Sequence, residues 1–180
     1  MSLLNISKLN DIVNQKKIIR PDLTLNEVRS EIIHALNPNG NEETKDGMDC
    51  ILCAFNFETY IMQYAAANNS LLVIRNNKFV VLPADRMPVG KSPKDTQPFT
   101  LQSFALQKSD IVYLITDGYV DQFGGAKGKK YKHKQLQETI LSLSDLSLEK
   151  QKYQLDKKFE AWRGNLEQVD DVSIIGIKIN

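Results

Sequence analysis

Apolar residues recur at helical spacing at the start of the chain and at strand spacing through its middle. Leu3, Leu4, Ile6, Leu9, Ile12 and Val13 share one helical face, which predicts a helix over 2–14. Thr24 and Glu27 have the spacing of a capping box, so a second helix is expected over 24–36. It carries Val28, Ile32 and Ala35 and stops before Asn37-Pro38-Asn39-Gly40. A polar loop follows over 38–47. From Met48 the period shortens, and 49–57, 60–67, 71–76 and 78–82 read as four strands joined by tight turns. Links this short cannot join parallel strands, so an antiparallel meander is expected. A proline-rich loop over 83–98 leads to strands at 99–106 and 109–116. The second of these is so continuously apolar (Ile111 to Ile115) that it reads as a central strand. Helices over 135–143 and 148–162 and a last strand over 172–178 complete a single α+β domain with helices covering sheets.

Composition narrows the function little. The chain has 180 residues, enough for one core, and its net charge of +1 offers no field for nucleic acid or an anionic membrane. No apolar run approaches a spanning helix and no signal peptide is evident, so a cytoplasmic protein is expected. Cys50 and Cys53 form a C-x-x-C, but there is no second pair and His34 and His133 are remote. On a strand, positions three apart point to opposite faces, which predicts two buried, inert thiols.

Chemistry gathers at strand ends. Thr116-Asp117-Gly118 follows the most apolar strand, Gln168-Val169-Asp170-Asp171 precedes the last one, and Asp46-Gly47-Met48-Asp49 heads the first. Each alone also reads as a turn or capping aspartate. Together, hard oxygens from separate strand ends suit Mg²⁺ or Mn²⁺ rather than zinc. Lys127, Lys129, Lys130, Lys132 and Lys134 put five lysines in eight residues, either a solvated loop or a dock for a phosphorylated partner.

Several strings occur in one order: Met48-Asp49, Ala65-Ala66-Ala67-Asn68-Asn69-Ser70-Leu71, Met87-Pro88-Val89-Gly90, Thr116-Asp117-Gly118-Tyr119-Val120-Asp121-Gln122-Phe123-Gly124-Gly125 and Gln168-Val169-Asp170-Asp171. The series resembles the SpoIIE-type branch of the metal-dependent (PPM, or type 2C) serine/threonine protein phosphatases, over essentially the whole chain. The resemblance implies an antiparallel β-sandwich between helix pairs, Mn²⁺ or Mg²⁺ as cofactor with two ions in the complete domain, and a metal-activated water in place of a protein nucleophile. It assigns Asp117 and Asp170 as metal ligands, and Gly118, Asp121, Asp171, Asn68 and Asp49 to supporting places. It also implies a phosphorylated protein substrate such as an anti-sigma-factor antagonist, an upstream sensor domain in a longer chain, and a partner or homodimer covering open sheet edges. No nucleic-acid or membrane contact is expected of this segment.

There are departures from the family pattern. Ala66 and Ser70 stand where the family has Gly and Pro. The Asp-Gly-His-Gly segment that carries the bridging aspartate has no counterpart, so the chain reads as an N-terminally truncated domain over 1–180. Little activity is expected of it alone. The alternative is a catalytically incomplete regulatory or binding module of the same fold, and an unrelated α+β scaffold with structural acidic turns is a third reading.

Overall fold

The computed structural model describes residues 2–36 and 47–180. In chain order the elements are α1 (Ser2–Asn10), a π-helical turn (Asp11–Gln15), α2 (Pro21–Leu36), β1 (Gly47–Met48), β2 (Cys50–Asn56), β3 (Ile61–Ala67), β4 (Leu71–Arg75), β5 (Lys78–Leu82), β6 (Val89–Gly90), β7 (Gln102–Ala105), β8 (Ile111–Ile115), α3 (Gly118–Asp121), β9 (Phe123–Gly124), β10 (Lys129–Lys130), α4 (His133–Ser142), α5 (Leu148–Arg163) and β11 (Ile174–Lys178). Every pairing between these strands is antiparallel. The fold class is the expected α+β, antiparallel sheets with helices. The loop expected over 38–47 lies, except for Gly47, outside the described residues.

The chain forms two compact units, Met1–Ser70 with Pro83–Leu106, and Leu71–Leu82 with Gln107–Asn180. In the first, the sheet order is β2-β3-β7, and β1 pairs separately with β6. Helix α2 presents Leu25, Val28 and Ile32, three, four and seven residues apart, and all three are fully buried. They share a core with Ala65, Ala67, Val89 and Phe99. The small alanines of β3 let the helix lie close. Burying each branched side chain of this stripe is worth roughly 1.5–3 kcal/mol as an upper figure.

The second unit carries the sheet β11-β8-β4-β5. Leu72 lies opposite Tyr113 and Ile74 opposite Ile111, so one face of β4 and β8 is a single apolar surface. It packs with Tyr119, Tyr131, Leu136, Ile140, Leu155 and Phe159. Val73 and Val112, on the other face, are also fully buried. Burial on both faces accounts for the unbroken apolar run of β8, a central strand as expected.

Three expectations need correction. The strands over 49–82 are not one meander. Hairpins β2–β3 and β4–β5 form as predicted, but β3 pairs on its far side with β7 and β4 with β8, in different sheets. The link 68–70 changes sheets with Asn68 at φ +59°, a left-handed conformation asparagine tolerates. Helix α2 starts a turn early, at Pro21, whose missing N–H suits a first helical position. Thr24 therefore does not cap: its hydroxyl contacts the Ile18 and Arg20 carbonyls at 2.9 and 3.0 Å. The first helix ends at Asn10, and the π turn after it is closed by a 3.0 Å bond from Lys16 N to Asp11 O. That wider turn carries Ile12 into the core, 1% exposed.

Candidate metal centre

Strand β8 is hydrogen-bonded on both sides, so the turn after it is delivered from a fixed base. Thr116 extends the pairing past the strand. Its N–H donates to Ser173 O at 3.0 Å, its hydroxyl accepts from Ser173 N at 2.8 Å and the same hydroxyl donates to Asp171 O at 2.8 Å. Asp117 then opens α3 without a side-chain capping bond to it, so the plain capping role is not the one it plays. Gly118 is the point of contact between the two acidic turns. A Cβ there would lie 2.5 Å from Asp171 O, closer than real side chains come, and 3.1 Å from Asp170 O.

On the facing turn, Asp170 Oδ1 accepts the Asp171 N–H at 2.7 Å, and its main-chain carbonyl accepts from Gln168 Nε2 at 2.7 Å. The structure thus brings Thr116 and Gly118, which flank Asp117, against Asp170 and Asp171, with Thr116 and Asp171 55 residues apart in the chain. Asp121, one helical turn beyond Asp117, is an ion-pair partner of Lys130 at 2.9 Å. In the first unit, Asn68 Nδ2 donates to Asp49 Oδ1 at 2.7 Å, so those two weaker candidates hold each other. Asp46 lies outside the described residues.

The five lysines of 127–134 are exposed, Lys130 paired with Asp121 and Lys134 4.0 Å from Glu138. Cys50 and Cys53 are half-buried free thiols, a correction to full burial. Burial, helped by the Asp49 charge, pushes Cys50 up to about 11; burial, with Cys50 beside it, pushes Cys53 up to about 12.

Two residues of this centre, Thr116 and Gln122, stand in the strings that carry the resemblance but have no role assigned to them there. Gln122 is completely buried. Its Nε2 donates to Glu167 O at 2.9 Å and Phe123 O at 3.0 Å, and its Oε1 accepts from Val169 N at 3.2 Å. Its main-chain carbonyl accepts from Tyr131 N at 3.0 Å and Trp162 Nε1 at 3.1 Å. Gly124, two residues on, has no space for a Cβ, which would overlap the Trp162 carbonyl. Gly124 is therefore required by its packing against Trp162.

The donor chemistry fits a hard cation. Asp170 has a second carboxylate oxygen with no hydrogen-bond partner among the described residues, and the set contains no sulfur or imidazole. It does not amount to a complete two-ion centre. Among the described residues there is no group of three or more His, Cys, Asp or Glu placed to hold a metal. Nor is any helix among them long and apolar enough to cross a membrane.

The antiparallel sheets and helices match those of PP2C phosphatase domains of known structure. A sequence model of the family described as Stage II sporulation protein E (SpoIIE) matches residues 13–180, and the chain belongs to that family. The fold is similar to the SiaA-PP2C domain of Pseudomonas aeruginosa, with a TM-score of 0.88 at 18% identity over 99% of this chain and 69% of that one. It is also similar to the phosphatase domain of SpoIIE from Bacillus subtilis, TM-score 0.61 at 12% identity over 98% and 73%. The RsbU and RsbW domains of Rv1364c from Mycobacterium tuberculosis match with a TM-score of 0.71 at 15% identity, over 99% of this chain and 46% of that one. No curated protein matches the chain.

Proposed function

We propose that residues 1–180 act as one PPM-type domain, a Mn²⁺- or Mg²⁺-dependent phosphatase acting on phosphoserine or phosphothreonine of a partner protein in the cytoplasm. The observation that carries this reading is the Gly118 contact, which sets Asp117 and Asp170 on abutting turns of a SpoIIE-family fold. Asp117 and the outer oxygen of Asp170 would hold the cation, with water completing its shell. When bound, a divalent cation supplies an acidified water and offsets charge on the phosphoryl oxygens. The chain's own part is to fix the two carboxylates. Thr116 ties the turns together, Gly118 lets them touch, and the Asp171 N–H orients Asp170. Asp121, engaged with Lys130, supports α3 rather than the ion. Rv1364c, similar in fold, joins RsbU and RsbW domains, which favours a signalling role with an anti-sigma-factor antagonist as substrate and a sensor domain upstream.

With two ligands and no third among the described residues, turnover by the 180 residues alone should be low. That observation also favours the second reading, a regulatory module of the same fold whose exposed Lys127–Lys134 run holds an anionic partner. The test is hydrolysis of p-nitrophenyl phosphate with and without Mn²⁺. Under the first reading a weak Mn²⁺-dependent rate falls about 10²-fold or more in Asp117→Asn or Asp170→Asn, while Asp121→Asn changes it little. A rate indifferent to Mn²⁺ and to both aspartates would refute it. No turnover, with binding lost in a Lys129→Glu, Lys130→Glu variant, would establish the second.

A further inference from the structure

We propose that Gln122 is a positioning residue for the metal centre: its buried carboxamide splints residues 167–169 to the end of α3 and so fixes where Asp170 stands against the Asp117 turn. The inference rests on the reading of Asp117 and Asp170 as ligands. Between α5 and β11 the chain runs from Gly164 to Ser173 with no regular secondary structure beyond a turn at its start. Glu167, Gln168, Val169 and Asp170 are all exposed. A segment of that kind has no ladder to set its path and little burial to hold it. Among the described residues, both long-range hydrogen bonds of 167–169 are with the Gln122 side chain, which donates to Glu167 O and accepts from Val169 N.

The geometry explains the residue type. One planar group donates to Glu167 O and accepts from Val169 N, two chain positions apart, and Val169 precedes Asp170. Glutamate would set a carboxylate against the Glu167 carbonyl, lysine lacks an acceptor, and asparagine is a methylene too short to span both. The other end of Gln122 is equally constrained. Its main-chain carbonyl takes the Tyr131 N–H and the Trp162 indole N–H, so the carboxamide projects from a fixed point. Asp117 starts the helical turn that ends at Gln122. The residue therefore links the backbone just after one ligand to the backbone just before the other, independently of the Thr116–Asp171 bond on the far side of Asp170. Splints of this sort orient ligands without touching the ion, and removing one costs about 10–100-fold in metal affinity.

The experiment measures Mn²⁺ binding to the whole chain by EPR loss of the free-ion signal, beside thermal melts and amide exchange at Val169 and Asp171. Gln122→Met keeps side-chain length and removes both polar atoms; Gln122→Asn keeps the carboxamide and loses reach, and serves if the methionine variant does not fold. Ile140→Ala, fully buried in the core of the same unit and with no bond to Gln122, is the control for stability alone. Expected are Mn²⁺ affinity weakened about tenfold or more and faster exchange at Val169 in both Gln122 variants, with affinity near normal in Ile140→Ala even where its melting point falls as far. If Asp117→Asn and Asp170→Asn lose binding while the Gln122 variants that fold keep it, the splint is overturned and the metal reading stands. If the two aspartate variants bind Mn²⁺ like the unaltered chain, the metal reading falls and takes this inference with it.

Discussion

At the scale of single residues, Gly118 is where the two acidic turns depend on an absent side chain. A methyl group there meets the Asp171 carbonyl at 2.5 Å, and backbone rather than a flexible side chain must yield. Gly118→Ala should cost about 1–3 kcal/mol, the usual range for forced overpacking, read as a lower urea midpoint. Metal affinity should fall with it, because the yielding atoms belong to Asp170 and Asp171. The thiols test a different local balance. Cys50 and Cys53 have folded values raised to about 11 and 12, so both are protonated at pH 8 in the native state. Ellman's reagent should react slowly with the folded chain at that pH and rapidly in denaturant, where the thiols return to about 8.5. The sign follows. Because folding disfavours the thiolates, their effect on stability is absent below about pH 8 and becomes destabilising as pH rises through the unfolded value.

At the scale of elements, α1, its π turn and α2 are joined by charge as well as by Ile12. Lys16 lies 2.6 Å from Glu27 and 2.8 Å from Glu31, and Lys8 lies 2.9 Å from Glu31. Hydrogen bonds first from Lys16 and then from Lys8 hold the Glu31 carboxyl down at about 2. Its folded value lies below its unfolded one of about 4.3. The contribution is therefore complete above that pH and is lost as pH falls toward 2. Glu31→Gln should lower the melting temperature at pH 7 by a small amount, since exposed pairs are screened, and the difference from the unaltered chain should close between about pH 4.5 and 2. A variant curve parallel to that of the unaltered chain would place the acid sensitivity elsewhere. The same segment shows why its ends were misread. Thr24 and Glu27 have capping-box spacing, but Pro21 can start a helix earlier, and Thr24 then turns its hydroxyl back to Ile18 and Arg20.

At the scale of the whole molecule, an ion that binds only the folded state raises its stability by mass action. Mn²⁺ at a hundred times its dissociation constant would add about 2.7 kcal/mol. The melting temperature of the chain should rise with Mn²⁺ concentration, and Asp170→Asn should abolish the rise without lowering the melting temperature in the absence of metal by more than a few degrees. A rise that survives in Asp170→Asn would mean the ion sits elsewhere.

What the sequence by itself determined is the local content. Apolar runs placed every strand longer than two residues, helical spacing placed α4 and α5, and short turns at 58–59 and 76–77 made two antiparallel hairpins. These follow from period, turn chemistry and the side chains of near neighbours, which a linear pattern records. The strings around Asp117 and Asp170 were legible for the same reason, as carboxylates at the ends of apolar strands. Only the tertiary structure decided that β3 and β4 part into different sheets, that Asp121 answers Lys130, and that Gln122 reaches Glu167 and Val169. Sheet membership turns on which distant edge offers hydrogen bonds, as β7 does to β3 and β8 to β4. A buried carboxamide likewise takes its meaning from partners 45 and 47 residues away, a separation with no period to betray it.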